Sequence, residues 1–422
     1  MRECRVHIII VAVLSLAAAA YQVYYVHHPL ESVYADMRGY IERAWDLVGA
    51  PSVVPYERFY PPGTHYLFAL VFAVFGYSAG FATIALLQIL FLTAANVFSY
   101  QIAVLLFSNN RAALVLASVL SVFLPRVALV SFYVAEPLFL FLITSGQLLL
   151  LHALTKQPSR TAIYVSGLLF GFAIITKGQA LAFTAGAVAV MLLPRFRHVR
   201  RLSLLFVFGA ALPVVSISAI NSNIAGRPML SVAANDMFNS YLGQSQRRGI
   251  GCYDDSSNTF YFFHNNNSYF NELLSAPMAI RASILDRDYF RRATLKLWSD
   301  QPLIQLVRSL NNIRELFLPE LYWPLRDVKQ QEKSAAWSAW IWSWVSFILG
   351  SWGLALAVRR GRWTWQICFI TIPLLGIAAM AFVSMGQPRY LVPFQFHIML
   401  LSMPVLCSFD LLLSTRLRGA LS

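Results

Sequence analysis

The run "GFATIALLQILFLTAANVFSYQIAVLLF", residues 80–107, contains no charged side chain from end to end. A helix crosses the hydrocarbon core of a bilayer in about 20 residues, so a run of this length and character spans a membrane. The same reading extends outward in both directions. Comparable apolar stretches predict further spans at 6–26, 112–126, 136–154, 162–176, 179–193, 203–221, 337–358, 364–383 and 391–413. Three of these are shorter than the rule asks, which leaves their ends loose and admits tilting or merging of neighbours. With 58% hydrophobic and 12% charged residues, the chain has the composition of a membrane protein. The expected fold class is an all-α polytopic membrane protein of about ten transmembrane helices, with residues 1–422 forming one membrane domain.

A net charge of +14 admits nucleic acid as a partner, and the positions of the basic residues decide against it. With the N-terminus inside, the short inner segments hold fourteen Lys and Arg, while the short outer turns hold only Arg126, Lys177 and Arg389. That asymmetry is the positive-inside bias of membrane topology. It places both termini in the cytoplasm and leaves no charge for nucleic acid to explain. The basic start and first apolar run also fit a signal peptide. The run is long enough to span and no crisp cleavage pattern follows it, so it is read as an uncleaved helix. Cys4, Cys252, Cys368 and Cys407 are too scattered for a disulfide framework or a CxxC metal site.

Two outer segments are long, 27–79 and 222–336. The first contains "YADMRGYIERA", residues 34–44, where charges crowd in a chain that has few. It also holds "FYPPGTHY", residues 59–66, and "LFALVFAVFG", residues 67–76, which is too short to cross and suits an interfacial or re-entrant helix. The second holds "DYFRRATLKLWSDQPLIQLVRSLNNIRELF", residues 288–317. Its apolar residues recur at helical spacing with Arg and Lys between them, which predicts juxtamembrane helices on the outer surface.

At the outer boundary of the predicted spans five residues are the candidates to carry chemistry. Asp36, Tyr40 and Ala44 share one face of a helix. A carboxylate there acts as a base toward a molecule arriving from lipid or water, or it simply caps a short helix. Glu136 stands at the outer start of an uncharged span, followed by Pro137, which suits a helix's first turn. Ionisable groups so placed mark function or a buried partner, against the plainer reading of an acid favoured by the helix dipole. Asp36 and Glu136 reach one level of the membrane, where they share base and orienting roles or hold a divalent metal through oxygen. Lys177, Arg389 and Arg126 run against the positive-inside bias. Each alone reads as a snorkelling interfacial residue; together with the two acids they suit a phosphate at headgroup level. Arg38, Glu42, Arg43 and Asp46 read as the solvated face of the Asp36 helix.

A sugar carried on a lipid phosphate already has a good leaving group once cations neutralise it. One carboxylate that deprotonates the acceptor hydroxyl then suffices for an inverting displacement, unlike the two acids of a glycoside hydrolase.

The chain resembles the GT-C superfamily of polyprenyl-phosphate-sugar-dependent glycosyltransferases, and more narrowly the bacterial relatives of protein O-mannosyltransferases and lipid A aminoarabinose transferases. The resemblance rests on "ADMRGYIERA", "YPPGTHYLFALVFAVFG", "AEPLFLFL", "GLLFGFAIITKGQAL" and "PRYLVPF" in this order along the chain. It implies Asp36 as catalytic acid of the first outer loop, Glu136 as the second acid, and Lys177 and Arg389 as holders of the lipid phosphate. Met37 follows Asp36 where relatives carry a second acid, so the implied metal site lacks its acidic pair. "SVAANDMFNSYLGQSQ", residues 231–246, looks like a stretch of several bacterial relatives, with Asn235, Asn239, Tyr241 and Gln244 placed to bond sugar hydroxyls. Tyr40, Tyr60, His65 and Tyr390 complete the expected substrate-binding set. The aromatics of "FYFFHNN", residues 260–266, suit stacking on a sugar, and "NNS" at 266–268 is a glycosylation sequon.

The expected function is an integral-membrane glycosyltransferase that moves a sugar from a polyprenyl-phosphate donor to an acceptor glycan, lipid or protein. It would sit in a bacterial inner membrane with its site facing the periplasm. The alternatives are a lipid-linked oligosaccharide polymerase or ligase, which shares the donor and a large outer loop, and a transporter or flippase. Transporters set their charges near the midplane and show related halves; here the charges sit at the outer boundary and no half-repeat is visible.

Overall fold

A computed structural model describes residues 2–31, 33, 36–49, 59–156, 158–245, 250–254, 259–263, 278–280, 287–318, 332–361 and 364–410. The apolar runs fold as helices because hydrocarbon offers no partner to backbone N–H and C=O groups, which must be satisfied within the segment. Helix α1 (Arg2–Tyr21) continues through one π turn, Gln22–Val26. After the short α2 (Asp36–Leu47) come α3 (Gly63–Phe107), α4 (Asn110–Val122), α5 (Leu124–Val127), α6 (Glu136–Thr155), α7 (Arg160–Thr176), α8 (Ala180–Leu192) and α9 (Ser203–Ala225). The second long segment supplies α10 (Asn235–Ser245), α11 (Arg287–Asp300) and α12 (Pro302–Leu316), and α13 (Glu332–Arg360), α14 (Thr364–Val383) and α15 (Gln395–Leu400) follow, with residues 403–410 helical after them.

Among the described residues, the ten expected apolar runs fall mainly on helical structure. Length and composition qualify seven helical segments as membrane spans among the described residues, or eight if the pair Asn110–Val122 and Leu124–Ser131, bent by 58°, counts as one. Helices α7 and α8, at 17 and 13 residues, fall short of a full crossing. Residues 67–76, expected as a separate interfacial helix, run into the 80–107 span as the single element α3. The separation survives as a kink at Gly76, whose φ of 73° and ψ of 177° interrupt the helix. That conformation is essentially confined to glycine and costs other residues about 1–3 kcal/mol. No neighbour crowds the position, so Gly76→Ala is expected to lower the thermal unfolding midpoint in detergent through the backbone alone.

The bundle core is apolar, pinned by a few satisfied polar groups of the kind that fix helix pairs in membranes. Asn96 donates to Ser15 Oγ at 2.8 Å between α3 and α1, and Ser166 donates to the Gly146 carbonyl at 2.7 Å between α7 and α6. At one end of the bundle the α3–α4 turn meets the last span: Asn109 Nδ2 is 3.1 Å from Asp410 Oδ2, and Arg111 lies between Asp410 and Glu3.

At the other end the two long segments join. The Asn235 backbone N–H donates to the Phe59 carbonyl at 2.9 Å, and Phe59 packs with Phe238, Tyr241 and Phe290. A small antiparallel meander, β1 (Ile250–Asp254), β2 (Thr259–Phe263) and β3 (Met278–Ile280), adds strand to an otherwise helical chain. Cys252 is opposite Tyr261 and Tyr261 opposite Ala279. The aromatic run of β2 favours strand, a signal the reading for helices passed over. Only the backbone of these strands is described. The stacking expected of the aromatics at 260–266, and the sequon at 266–268, therefore lie outside the described side chains.

Candidate active site

Asp36 opens α2, with Tyr40 and Ala44 buried one and two turns further along the same face. Both carboxylate oxygens are engaged. Tyr60, in the turn before α3, donates its hydroxyl to Oδ1 at 2.7 Å, and Arg389 Nη1 donates to Oδ2 at 3.0 Å. Arg389 Nε donates to Gln387 Oε1 at 2.8 Å, which fixes the plane of the guanidinium. Burial, and then the Asp36 charge, push the Tyr60 phenol well above the ordinary tyrosine range. It therefore remains a donor at neutral pH. The Tyr60 ring lies 5.3 Å from the Tyr40 ring and 5.2 Å from the Arg43 guanidinium. Arg43, expected on the solvated face of α2, is buried instead, because position 43 falls seven residues after Asp36 and shares its face. Arg38 and Glu42 do form an outward pair, at 2.6 Å.

Glu136 sits in the first turn of α6 with Pro137 behind it. The non-helical residues before it are held by Gln88 of α3, whose Nε2 is 2.8 Å from the Phe132 carbonyl and 3.3 Å from that of Val134. Glu136 is buried and pairs with the Nζ of Lys177, which stands where α7 ends and the chain turns extended. Lys177 Nζ lies 5.7 Å from the centre of the Tyr390 ring and the Arg389 guanidinium 5.4 Å from it. One aromatic ring thus serves both cations. Removing one member of a buried ion pair leaves an uncompensated charge and costs about 3–5 kcal/mol. Glu136→Gln is expected to lower the unfolding midpoint markedly, and Glu136→Gln with Lys177→Met to recover most of the loss in a double-mutant comparison.

The two pairs line one cavity of about 420 Å³, together with Tyr40, Tyr60, Tyr390, Asn235 and Asn239. Nine of the thirteen expected site residues therefore meet in one place. The other four do not line it. Tyr241 and Gln244 lie on the opposite face of α10 from Asn235 and Asn239; Tyr241 packs on Phe290, and Gln244 bonds Ser309 and the Phe382 carbonyl. His65 is buried beside Tyr66. Arg126 is fully buried in α5, and among the described residues its guanidinium has no hydrogen-bond partner. Gln387 and Gln179 were not singled out by the sequence reading. Gln387 orients Arg389, and Gln179 lines the cavity with its amide oxygen unbonded among the described residues. Each sits two residues from a cation, inside the fragments "TKGQ" and "GQPR".

Asp36 and Glu136 are balanced by Arg389 and Lys177, and Asp236, which also lines the cavity, is held by Arg287 from outside the lining, so the cavity receives an anion by lending it cations already held by carboxylates. A divalent metal asks for about six oxygen ligands. Asp36 and Glu136 are each engaged by a cation, and among the described residues no group of three or more His, Cys, Asp or Glu gathers. In this arrangement both carboxylates are committed to cations, which a divalent ion would have to displace.

Comparison with known proteins adds the following. Residues 60–220 match the dolichyl-phosphate-mannose-protein mannosyltransferase family. No curated protein matches the chain in sequence. Among solved structures the chain is similar to an Archaeoglobus fulgidus oligosaccharyltransferase tethered to an acceptor peptide, at 13% identity and a TM-score of 0.52, covering 94% of this chain and 49% of that one. It is similar also to the archaeal oligosaccharyltransferase AglB from the same organism, in complex with an inhibitory peptide and a dolichol-phosphate, at 16% identity and a TM-score of 0.51, covering 96% and 51%. ArnT from Cupriavidus metallidurans, bound to undecaprenyl phosphate, aligns at 14% identity with a TM-score of 0.41, over 94% of this chain and 77% of that one. The chain spans about half the length of the two oligosaccharyltransferases. At these identities the likeness to the two oligosaccharyltransferases is one of fold.

Proposed function

We propose that the chain is an integral-membrane glycosyltransferase that moves a sugar from a polyprenyl-phosphate carrier to an acceptor hydroxyl on the outer side of the membrane, a reading supported by its fold likeness to two oligosaccharyltransferases and by the family match over residues 60–220. A fold hosts many activities, so the site has to carry the reading. The observation that carries it is the single cavity in which Asp36 and Glu136 face Lys177 and Arg389.

In the proposed reaction the Asp36 carboxylate takes the proton of the acceptor hydroxyl. The acceptor oxygen attacks the anomeric carbon, the bond from that carbon to the phosphate oxygen breaks, and the carrier phosphate leaves with the electron pair. Lys177 and Arg389 neutralise the departing phosphate, so no protein acid has to protonate it. Attack opposite the leaving group inverts the anomeric centre. Glu136 keeps Lys177 aimed into the cavity. Asn235, Asn239 and Gln179 are the groups available to sugar hydroxyls. The membrane is taken as a bacterial inner membrane, with the cavity periplasmic and both termini cytoplasmic on the positive-inside count.

Native mass spectrometry of the purified protein tests the reading, with undecaprenyl phosphate as the added probe. Retention of that lipid by the wild-type chain, and its loss in Lys177→Ala, is the expected result. A protein that holds no polyprenyl phosphate, but takes up solute when reconstituted in liposomes, would be a transporter.

A further inference from the structure

Helix α12 is inverted relative to an amphipathic helix resting in water. Its protein-facing side is polar: Gln305 and Ser309 are fully buried, and Arg308 and Asn312 nearly so. Its outward side is apolar: Leu303 is 77% exposed, Val307 58% and Leu310 55%, with Leu306 beside them. Both sets follow helical spacing, so they are opposite faces of one helix. In water this arrangement would expose a continuous apolar stripe. In hydrocarbon it is the expected one, with polar groups satisfied against protein and apolar groups turned to acyl chains. The charge on the outward face is Arg314, in the last turn, where a long side chain reaches headgroups. The stripe is also continuous with a spanning surface, since α12 packs on α14, whose Leu375 and Val383 are exposed.

The inward face of α12 grips the end of α10. The last four carbonyls of a helix have no partner within it, and α12 supplies partners to two of them. Arg308 Nη1 donates to the Gln244 carbonyl at 2.7 Å, and Asn312 Nδ2 to the Gly243 carbonyl at 3.2 Å. Gln244 Nε2 returns a bond to Ser309 Oγ at 3.1 Å. On its other flank α12 presses the Asn312 carbonyl against Gly386, where a Cβ would find no room, three residues before Arg389. One helix therefore touches both the α10 wall, which carries Asn235 and Asn239, and the segment that carries Arg389.

We infer that α12 is immersed in the outer leaflet, with acyl chains as the partner of its Leu303, Val307 and Leu310 face, and that from there Arg308 acts as a positioning residue bracing α10 against the cavity. The immersion stands on its own observations; the importance of the braced wall rests on the proposed function.

The test uses the full chain in phosphatidylcholine liposomes, its native cysteines replaced by serine and a nitroxide attached at Leu303→Cys, Val307→Cys or Leu310→Cys. Collision with dissolved oxygen should exceed collision with a water-soluble nickel chelate at all three sites. Greater collision with the chelate would overturn immersion, and low collision with both reagents would assign the face to a second copy of the chain and overturn acyl chains as its partner. For the brace, hydrogen exchange in Arg308→Met should rise several-fold across 239–245 and be restored by Arg308→Lys, with α6 and α7 unchanged. No rise at 239–245, or a rise spread equally over α6 and α7, would overturn the bracing role. The exchange readout does not depend on sugar transfer, so its failure is distinguishable from failure of the enzymatic reading.

Discussion

Replacing Asp36 with asparagine is expected to cut sugar transfer about 10³-fold, the scale of a lost general base, while the protein still folds. Asparagine keeps the size of the side chain and an oxygen able to accept from the Tyr60 hydroxyl, which stands 2.7 Å away in the wild type. It cannot take a proton from the acceptor, and it no longer offers Arg389 a charge. The two losses separate by measurement. Single-turnover transfer from a polyprenyl-phosphate sugar reads the first. The unfolding midpoint reads the second, which should be modest because the guanidinium keeps Gln387 and the Tyr390 ring. Transfer at the wild-type rate in Asp36→Asn would remove the base from this position and with it the proposed mechanism.

Arg389→Ala should act mainly on the donor. The side chain joins Asp36, Gln387 and the Tyr390 ring, and among the described residues it is the guanidinium lining the cavity, a fork suited to two phosphate oxygens at once. A charge-assisted hydrogen bond of this kind contributes about 2 kcal/mol, or roughly 30-fold in affinity for undecaprenyl phosphate. Arg389→Lys should recover part of that, since it restores the charge without the fork. The comparison that decides is lipid affinity against thermal stability across the two variants. A loss of stability with affinity unchanged would make Arg389 a structural partner of Asp36.

The membrane character and most of the span positions were legible because apolar length is a strong signal, whereas α7 and α8 fall short of a full crossing. Residues 80–107 announce a span unaided. The limits of that signal show at α3, where one hydrophobic run hides a break that only Gly76 marks, and at β2, where aromatic residues were read for their rings rather than for strand propensity. In the site, both acids and two of the three outer cations reach one cavity, since charge against an apolar background is costly unless paired. Arg126 obeyed the same sequence logic and went elsewhere, because a count of charge by membrane side carries no lateral position. For α10 the helical period already contained the answer. Asn235 and Asn239 are one turn apart, and Tyr241 and Gln244 fall on the opposite face. What no local pattern holds is which cation meets which acid: Asp36 takes Arg389, and Glu136 takes Lys177.

The bond between Asp36 and Arg389 joins positions 353 residues apart. Synthesis proceeds from the N-terminus, so Asp36 is made early and waits through the insertion of nearly every other helix before its partner emerges. The Glu136 and Lys177 pair, only 41 residues apart, closes much sooner. The cavity is therefore assembled in two stages, one half as the middle of the chain inserts and the other when the last span arrives. Closure over so long a separation is slow and entropically expensive, which makes the final span the clasp of the whole assembly.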